Sequence, residues 1–306
     1  MTTITAPGLY PDMSEADYFA DPCPEPSLSH SIARLLIGRS PKHAAAAHPR
    51  LEGEMAETSS AAMDEGSIVH KLLLGRGSEF VALPFDDWRT KAAKDARDEA
   101  KANGLIPILF PRLDALRTAA DAMAKQIAQH PDCQAFFAPS DSEVVMAWRE
   151  GRAWCRGLID RLPADPAAPI FDLKTTAKSA APADWERSLI RDYCTQEAFY
   201  RRGWRALGHA DRPFLFIVAE REPPYGVSVM ACGASLQDYA ERRIARAIPL
   251  WQRCMTTNEW PGYPAMTAYV EAPPYLLDTE ADEIMAAQSA NISTEVDDDI
   301  LEEILK

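Results

Sequence analysis

Asp172 and Lys174 stand two residues apart in the stretch "IFDLKTTAKS", residues 170–179. The short apolar start of this stretch predicts a β-strand. Because side chains alternate along a strand, both charged groups would point to the same face. Such a pair could bind a metal ion and place a cation near a phosphate. Taken alone, however, it is more typical of an exposed ion pair, which contributes little.

Residues elsewhere in the chain favour the chemical interpretation. Asp160 ends the preceding predicted strand, so it can converge with Asp172 if the two strands are neighbours. Two carboxylates at one sheet edge repel each other unless a cation neutralises them, and oxygen ligands there suit Mg²⁺ or Mn²⁺. Gln196 and Tyr200 lie one turn apart on the next predicted helix and therefore share a face. His70, on an earlier predicted helix, could supply a nitrogen ligand.

The elements that must position these residues alternate in an α/β order. Hydrophobic periodicity and Ser, Gly and Pro boundary signals predict six helices, at about residues 29–38, 59–74, 88–101, 112–129, 185–207 and 235–257, the last with Ser235 as its N-cap. Alternating or short apolar runs predict five strands, at 143–150, 153–162, 170–175, 213–220 and 226–232. The order of helices, three strands, helix, two strands and helix predicts a mixed central sheet rather than a βαβ repeat.

Four short motifs occur in an order and at spacings that resemble a known nuclease superfamily. They are "GSIVH", "GLID", "FDLKT" and "QEAFY". Together they resemble the motif set of PD-(D/E)xK nucleases of the RecB/RecE-like branch, closest to the phage and prophage exodeoxyribonuclease VIII-type (RecE-like) exonucleases. A lone D-x-K has little weight, whereas the ordered set is specific. The resemblance, which spans Ser27 to Trp260, implies an α/β fold with a restriction-endonuclease-like core, in which helices flank a mixed central β-sheet.

The same resemblance implies a metal site. The expected metal is Mg²⁺, with Mn²⁺ as a substitute, and the implied ligands are His70, Asp160, Asp172 and the carbonyl of Leu173. Many superfamily members have Glu where this chain has Asp172, but the RecB-like branch tolerates Asp.

The implied catalytic set comprises Asp160 and Asp172, already named as metal ligands, and four further residues. Lys174 would position or activate the attacking water, and Gln196 and Tyr200 would face DNA or support the site. Glu143, on the first predicted strand, stands where many relatives carry an acid that assists the metal or the water. For Glu143, a role in the site and a solvent-facing position on the strand are equal alternatives. Tyr200 could pack in the core instead of facing the site.

The resemblance implies a metal-dependent exodeoxyribonuclease that acts on the ends of double-stranded DNA for phage-type homologous recombination. Cleavage is expected to run 5′→3′, leaving 5′-phosphate products and 3′ single-stranded overhangs. The expected partners are a single-strand annealing protein and further copies of the chain, in a ring-shaped trimer or tetramer. The alternatives are a RecB-like nuclease for single strands or flaps, and a non-catalytic DNA-end binding module of the same fold.

The net charge of -14 argues at first against a nucleic-acid partner, but the charge is unevenly distributed. Residues 271–306 contribute -10, so the remaining 270 residues sum to only -4. The segment 187–221 has seven arginines against four acids. Five of these arginines lie on the predicted helix and either form a solvated face or include some that contact phosphates: Arg187, Arg191, Arg201, Arg202 and Arg205. DNA binding is therefore not excluded.

Composition also predicts the domain organisation and the location. We expect a Pro-rich, acidic N-terminal arm at 1–26, a nuclease domain at 27–265 and an acidic tail at 266–306. The tail is either disordered or a docking segment with Ile300, Leu301, Ile304 and Leu305 on one side of a short helix. No signal peptide or membrane span is predicted, which favours the cytoplasm. The six cysteines lack C-x-x-C spacing, so free thiols are expected.

Overall fold

A computed structural model describes residues 3–53 and 60–304, with side chains up to residue 289. The chain divides into two compact units, Met1–Tyr263 and Pro264–Lys306. The first unit contains every motif described above. Within the described ranges, no helix combines the length and the apolar character that are needed to cross a membrane.

The first unit is built on one twisted sheet and a separate strand pair. Its strands are β1 (Gly8–Tyr10), β2 (Leu28–Ser29), β3 (Phe80–Leu83), β4 (Ile106–Leu109), β5 (Ser140–Glu150), β6 (Ala153–Pro163), β7 (Ile170–Thr176), β8 (Phe214–Glu220) and β9 (Val227–Met230). The main sheet has the order β1-β5-β6-β7-β8-β9, with β2 added beside β6, while β3 pairs with β4. β7 and β8 are parallel, and β5, β6, β7 pair antiparallel. The predicted mixed sheet is therefore confirmed.

Helices cover both faces of this sheet. The helices of the first unit are α1 (Glu15–Phe19), α2 (His30–Gly38), α3 (Pro41–Ala47), α4 (Ala61–Leu74), α5 (Lys91–Ala102), α6 (Phe110–Gln129), α7 (Pro182–Ser188), α8 (Cys194–Ala206) and α9 (Ala234–Thr257), whereas α10 (Pro274–Ile304) belongs to the second unit. The long helix predicted for 185–207 is instead α7 and α8 joined by a π-helical segment, Leu189–Tyr193. The predicted N-cap Ser235 is also wrong, because Gly233 caps α9.

Two core clusters lie on opposite faces of the sheet, because neighbouring strand residues such as Phe216 and Ile217 contribute to different clusters. The first core cluster packs α2, α8 and α9 on one face and includes Leu36, Met146, Phe199, Phe216 and Trp251. The second core cluster packs α4 and α6 on the other face and includes Val69, Met123, Phe171, Leu173 and Ile217. A three-layer α/β/α arrangement results, and α4 and α8 approach β6 and β7 from opposite sides.

The segment predicted to be an N-terminal arm packs into the first unit. β1 extends the sheet at β5, and Ile4 and Tyr18 are buried in a small cluster with Trp154. A buried Asp21 carboxylate then links this segment to β6. We call its contacts the Asp21 network, which comprises Asp21, Ser27, His48, Arg50 and Arg156. This Pro-rich, acidic segment is therefore held against the sheet by β1, by buried apolar side chains and by the Asp21 network.

The second unit is described through its backbone and the side chains up to residue 289. It contains α10, which runs through the predicted acidic tail. The side chains of the proposed docking stripe, residues 300–305, lie outside the described ones.

All six cysteines of the first unit are free and buried, as expected from their spacing.

Candidate active site

The β5–β6 ladder is interrupted at Glu143 and Asp160, which lie between the paired residues Ser142–Arg161 and Val144–Ile159. Val144 packs in the first core cluster, on one face of the sheet. Ser142 instead accepts a hydrogen bond from Arg161, whose guanidinium group lies over the Phe136 ring of the second core cluster, on the other face. Residues two apart normally share a face, so the strand faces switch here. Glu143 has a left-handed φ of 54°, which costs a non-glycine residue about 1–2 kcal/mol. Such strain on a strand is typical of functional sites.

β6 and β7 separate at the same level, which opens a cleft between them. Their pairing rests on Arg161 and Phe171, in a part of the chain that is fully described. Beyond this pair, the backbone N–H of Leu173 donates to Oδ2 of Asp160 at 2.8 Å instead of to a strand carbonyl. Because the N–H and C=O of one strand residue point to the same side, the Leu173 carbonyl also faces the cleft. The structure therefore brings Asp160 and the Leu173 backbone together.

His70 enters this cleft from α4. Ser60 caps the start of that helix by accepting from the Met63 N–H, and Gly66 lets it approach β7, since a Cβ there would lie 3.3 Å from Oγ1 of Thr175. The imidazole of His70 lies between two carboxylates. Its Nδ1 is 3.0 Å from Oε1 of Glu143, and its Nε2 is 2.9 Å from Oδ2 of Asp160.

Asp172 and Lys174 occupy the other wall of the cleft. Asp172 is buried, and its carboxylate pairs with the Lys174 ammonium and accepts a hydrogen bond from the side-chain amide of Gln196 on α8. The Lys174 ammonium also lies 4.9 Å from the ring centroid of Tyr193. Tyr193 in turn stacks on Trp185 with ring centroids 5.5 Å apart. We call His70, Glu143, Asp160, Asp172 and Lys174 the carboxylate cluster.

Burial and mutual repulsion shift the acids of the carboxylate cluster in different directions. Burial, and then the Asp160 charge, raise the pKa of both Glu143 and Asp172 above the usual range, although His70 and Lys174 oppose the two shifts. Burial would raise the pKa of Asp160 too, but the charge and hydrogen bond of His70 hold it below its usual value. The cluster therefore carries more carboxylate than its own cations balance.

The basic groups of the carboxylate cluster respond to this surplus. Burial alone would lower the pKa of His70, but the Asp160 and Glu143 carboxylates raise it to about 10. Burial likewise opposes the charge of Lys174, yet Asp172 and Asp160 raise its pKa above the ordinary lysine value. Both side chains are thus cationic at neutral pH in this state. One nitrogen and two oxygen atoms, from His70, Glu143 and Asp160, lie within 4.8 Å of one another, a spacing that could hold a metal ion.

Tyr200 occupies a supporting position behind β6. Its ring is buried, and its hydroxyl accepts a hydrogen bond from the Leu158 N–H at 3.2 Å. Gly157 makes this approach possible, because a Cβ at that position would lie 2.9 Å from the Tyr200 ring. The glycine of "GLID" and the tyrosine of "QEAFY" therefore form one packing unit. Gln196, by contrast, reaches Asp172 directly.

Some features of the site escape sequence reasoning. The contact of Tyr193 with Lys174 depends on the π-helical segment, and no hydrophobic period signals such a segment. Of the arginines proposed for phosphate contacts, Arg202 pairs instead with Glu150 and Glu241. The paired acids lie far apart in sequence, so only the fold reveals that this arginine is already used.

Comparison with known proteins places this geometry in a family. A crystal structure of a protein from Eubacterium rectale, described as a putative exonuclease, has a TM-score of 0.55 with this chain at 14% sequence identity, covering 87% of this chain and 97% of that one. At this identity the similarity shows a shared fold. No curated protein matches the chain. Residues 29–273 match the family described as a PDDEXK-like domain of unknown function (DUF3799). Since this match spans most of the chain, the predicted PD-(D/E)xK superfamily is confirmed, and the chain belongs to this PDDEXK-like family.

Proposed function

We propose that the protein is a metal-dependent exodeoxyribonuclease that hydrolyses phosphodiester bonds from the ends of double-stranded DNA. The observation that carries this proposal is the convergence of His70, Glu143 and Asp160 beside Asp172 and Lys174 in one cleft. The family match and the nuclease-type fold support phosphodiester hydrolysis as the reaction class.

The donor set fits a divalent metal ion. His70, Glu143 and Asp160 offer one nitrogen and two carboxylate oxygens, and the Leu173 carbonyl faces the same cleft. The raised pKa of Glu143 and of Asp172 marks a surplus of negative charge that a cation would relieve. Carboxylate and carbonyl oxygens favour Mg²⁺ or Mn²⁺. Such an ion, when bound, would polarise the scissile phosphate and lower the pKa of a water molecule.

The remaining residues hold and orient charge. The Lys174 ammonium stays protonated because its pKa is raised, so it acts as a fixed cation beside the phosphate. The face of Tyr193 and the Asp172 carboxylate confine that ammonium from two sides. Gln196 fixes the Asp172 carboxylate through its amide, and Tyr200 holds the backbone of β6. Each group therefore has a defined orientation before substrate arrives.

The proposal is tested with a linear duplex, a closed circular duplex and a single strand of the same sequence, each incubated with Mg²⁺, with Mn²⁺ and with EDTA. We expect metal-dependent loss of the linear duplex and survival of the circle. Asp160→Asn should abolish this loss. Asp141→Asn, an exposed acid on the same strand pair as Glu143, is the matched control and should retain it. Cutting of closed circles would rule out an enzyme restricted to ends, and loss of single strands alone would favour the RecB-like alternative.

The finer features of the proposal rest on the resemblance to RecE-like exonucleases. They are 5′→3′ polarity, a ring-shaped homo-oligomer around DNA, and cooperation with a single-strand annealing protein in phage-type recombination. Duplexes labelled at one 5′ end or one 3′ end separate the two polarities, because only the strand that is degraded from its labelled end releases label early. Light scattering of the full chain measures the number of copies.

A further inference from the structure

A groove on the α8 side of the sheet leads to the carboxylate cluster. It has a volume of about 1010 Å³ and lies between α2, the π-helical segment and α9. Asp160 and Gln196 form part of its lining, so the groove is continuous with the proposed catalytic cleft. We call it the arginine groove, after Arg34, Arg39, Arg191 and Arg243.

The arginine groove carries excess positive charge in a chain whose net charge is -14. Arg34 and Arg191 share one carboxylate, that of Asp192, at 3.2 and 2.8 Å. Arg39 is exposed and, within the described residues, makes no ion pair. Arg243 donates to the Tyr239 hydroxyl at 2.8 Å. Apart from Asp160, one carboxylate thus faces four guanidinium groups, an arrangement that suits a phosphate backbone.

Large apolar side chains stand among these arginines. The exposed fractions are 58% for Phe19, 44% for Ile190 and 39% for Tyr239, and all three residues line the groove. Base stacking on aromatic rings is the usual means of binding unpaired strands, and it tolerates any sequence. A duplex hides the faces of its bases, so these side chains would gain little from it. The combination of arginines and exposed rings therefore matches one unpaired strand.

The opposite side of the cleft has a different character. A second cavity of about 400 Å³ on the α4 side shares Leu158 and Asp160 with the arginine groove, and its lining includes Glu15, Glu143 and Lys174. It lacks the arginine set of the groove across its described lining. A phosphate backbone is therefore drawn to the cleft from the groove side.

We propose that the arginine groove binds one unpaired DNA strand and leads it to the carboxylate cluster. The claim that this strand is the one hydrolysed rests on the function proposed above, whereas the binding itself does not. A duplex end must then fray, or already carry an overhang, before its strand reaches the cleft.

Binding of fluorescein-labelled DNA to the full-length protein, measured by anisotropy in EDTA, tests this groove without any hydrolysis. We expect a single strand and a duplex with a single-stranded overhang to bind more tightly than a blunt duplex of the same length. Tyr239→Ala and Phe19→Ala should each weaken single-strand binding by roughly 5- to 150-fold. Arg243→Ala should also reduce the dependence of affinity on salt.

Matched substitutions separate the groove from a general surface effect. Phe110 is 49% exposed on α6 and does not line the groove, so Phe110→Ala should bind like the wild type. Arg253→Ala, on the same helix as Arg243 but outside the groove, is the control for charge. Equal affinity for blunt duplex and single strand, or single-strand binding that Tyr239→Ala and Phe19→Ala leave unchanged, would overturn the proposal. A protein that binds strands in this way but cleaves none would overturn only the nuclease function.

Discussion

The carboxylate cluster and the Asp21 network contain the same kinds of side chain but balance their charges differently. In the Asp21 network, one carboxylate accepts from the Ser27 N–H at 2.9 Å and the Ser27 hydroxyl at 2.6 Å. Arg156 lies 3.1 Å and His48 3.3 Å from the same carboxylate. In the carboxylate cluster, three acids compete for one histidine and one lysine.

The pKa values record this difference. Burial would raise the pKa of Asp21, but hydrogen bonds from His48 and Ser27 and the charge of Arg156 hold it below its usual value. Burial and repulsion raise the pKa of Asp172 instead. Where a buried acid is fully paired, removal of that acid leaves its partner's charge uncompensated and destabilises the fold, whereas a surplus of buried acid is a cost that binding of a cation can offset. The comparison identifies the carboxylate cluster as the candidate active site.

The largest expected effect follows from removing an acid of the carboxylate cluster. Asp172→Asn should lower the rate of DNA hydrolysis by at least about a thousandfold, because the cleft loses charge where the phosphate reacts. The same change should leave the melting temperature unchanged or higher, because one repelling carboxylate disappears. Initial rates and thermal unfolding of the purified protein measure both. A large fall in melting temperature would instead assign Asp172 a structural role like that of Asp21.

The reverse outcome is expected for the Asp21 network. Asp21→Asn should lower the free energy of unfolding by about 3–5 kcal/mol, because buried Arg156 loses its counter-charge. Asparagine tolerates the left-handed φ of 62° at this position, so the backbone is preserved. Urea titration measures the change, while the rate per folded molecule should stay that of the wild type. A loss of rate without loss of stability would contradict the division between the two regions.

The stability conferred by Asp21 should also depend on pH with a defined sign. Its pKa is lowered in the folded state, so its contribution is present above the unfolded value of about 4 and is lost as the pH falls through the folded value. The difference in unfolding free energy between the wild type and Asp21→Asn should therefore shrink in acid.

The smallest expected effect is proton release by His70. With a pKa of about 10 in the metal-free site, its imidazole is protonated at neutral pH and must lose that proton to bind a metal. Mn²⁺ affinity should therefore rise about tenfold per pH unit between about pH 8 and 9, a range that lies above the pKa of about 7 of Glu143, so that His70 supplies the proton. Calorimetry in two buffers of different ionisation enthalpy counts the protons, and about one is expected. His70→Gln should lose this slope, and a wild-type slope of zero would show that His70 is not a ligand.

Much of the fold was predictable because it depends on local patterns. Alternating hydrophobicity around the Gly151-Arg152 turn marked the β5–β6 hairpin, and the apolar period marked α4 with His70 on it. The break between α7 and α8 was not predictable, since a π-helical segment adds one residue to a turn without a sequence signal. The packing of residues 3–26 against the sheet also depended on tertiary contacts, through Tyr18 and Asp21.

The sequence by itself determined which residue types are available for chemistry and that Asp172 and Lys174 share a strand face, because the side-chain period of a strand is fixed by its backbone. It also carried the ordered motifs that identify the superfamily. On sequence grounds, Glu143 was equally well a site residue or a solvent-facing carboxylate. Only the tertiary structure decided that it turns inward to His70, because its left-handed backbone overrides strand alternation. Likewise, only the packing of α8 on β6 and β7 distinguished Gln196, which touches Asp172, from Tyr200, which supports the strand behind it.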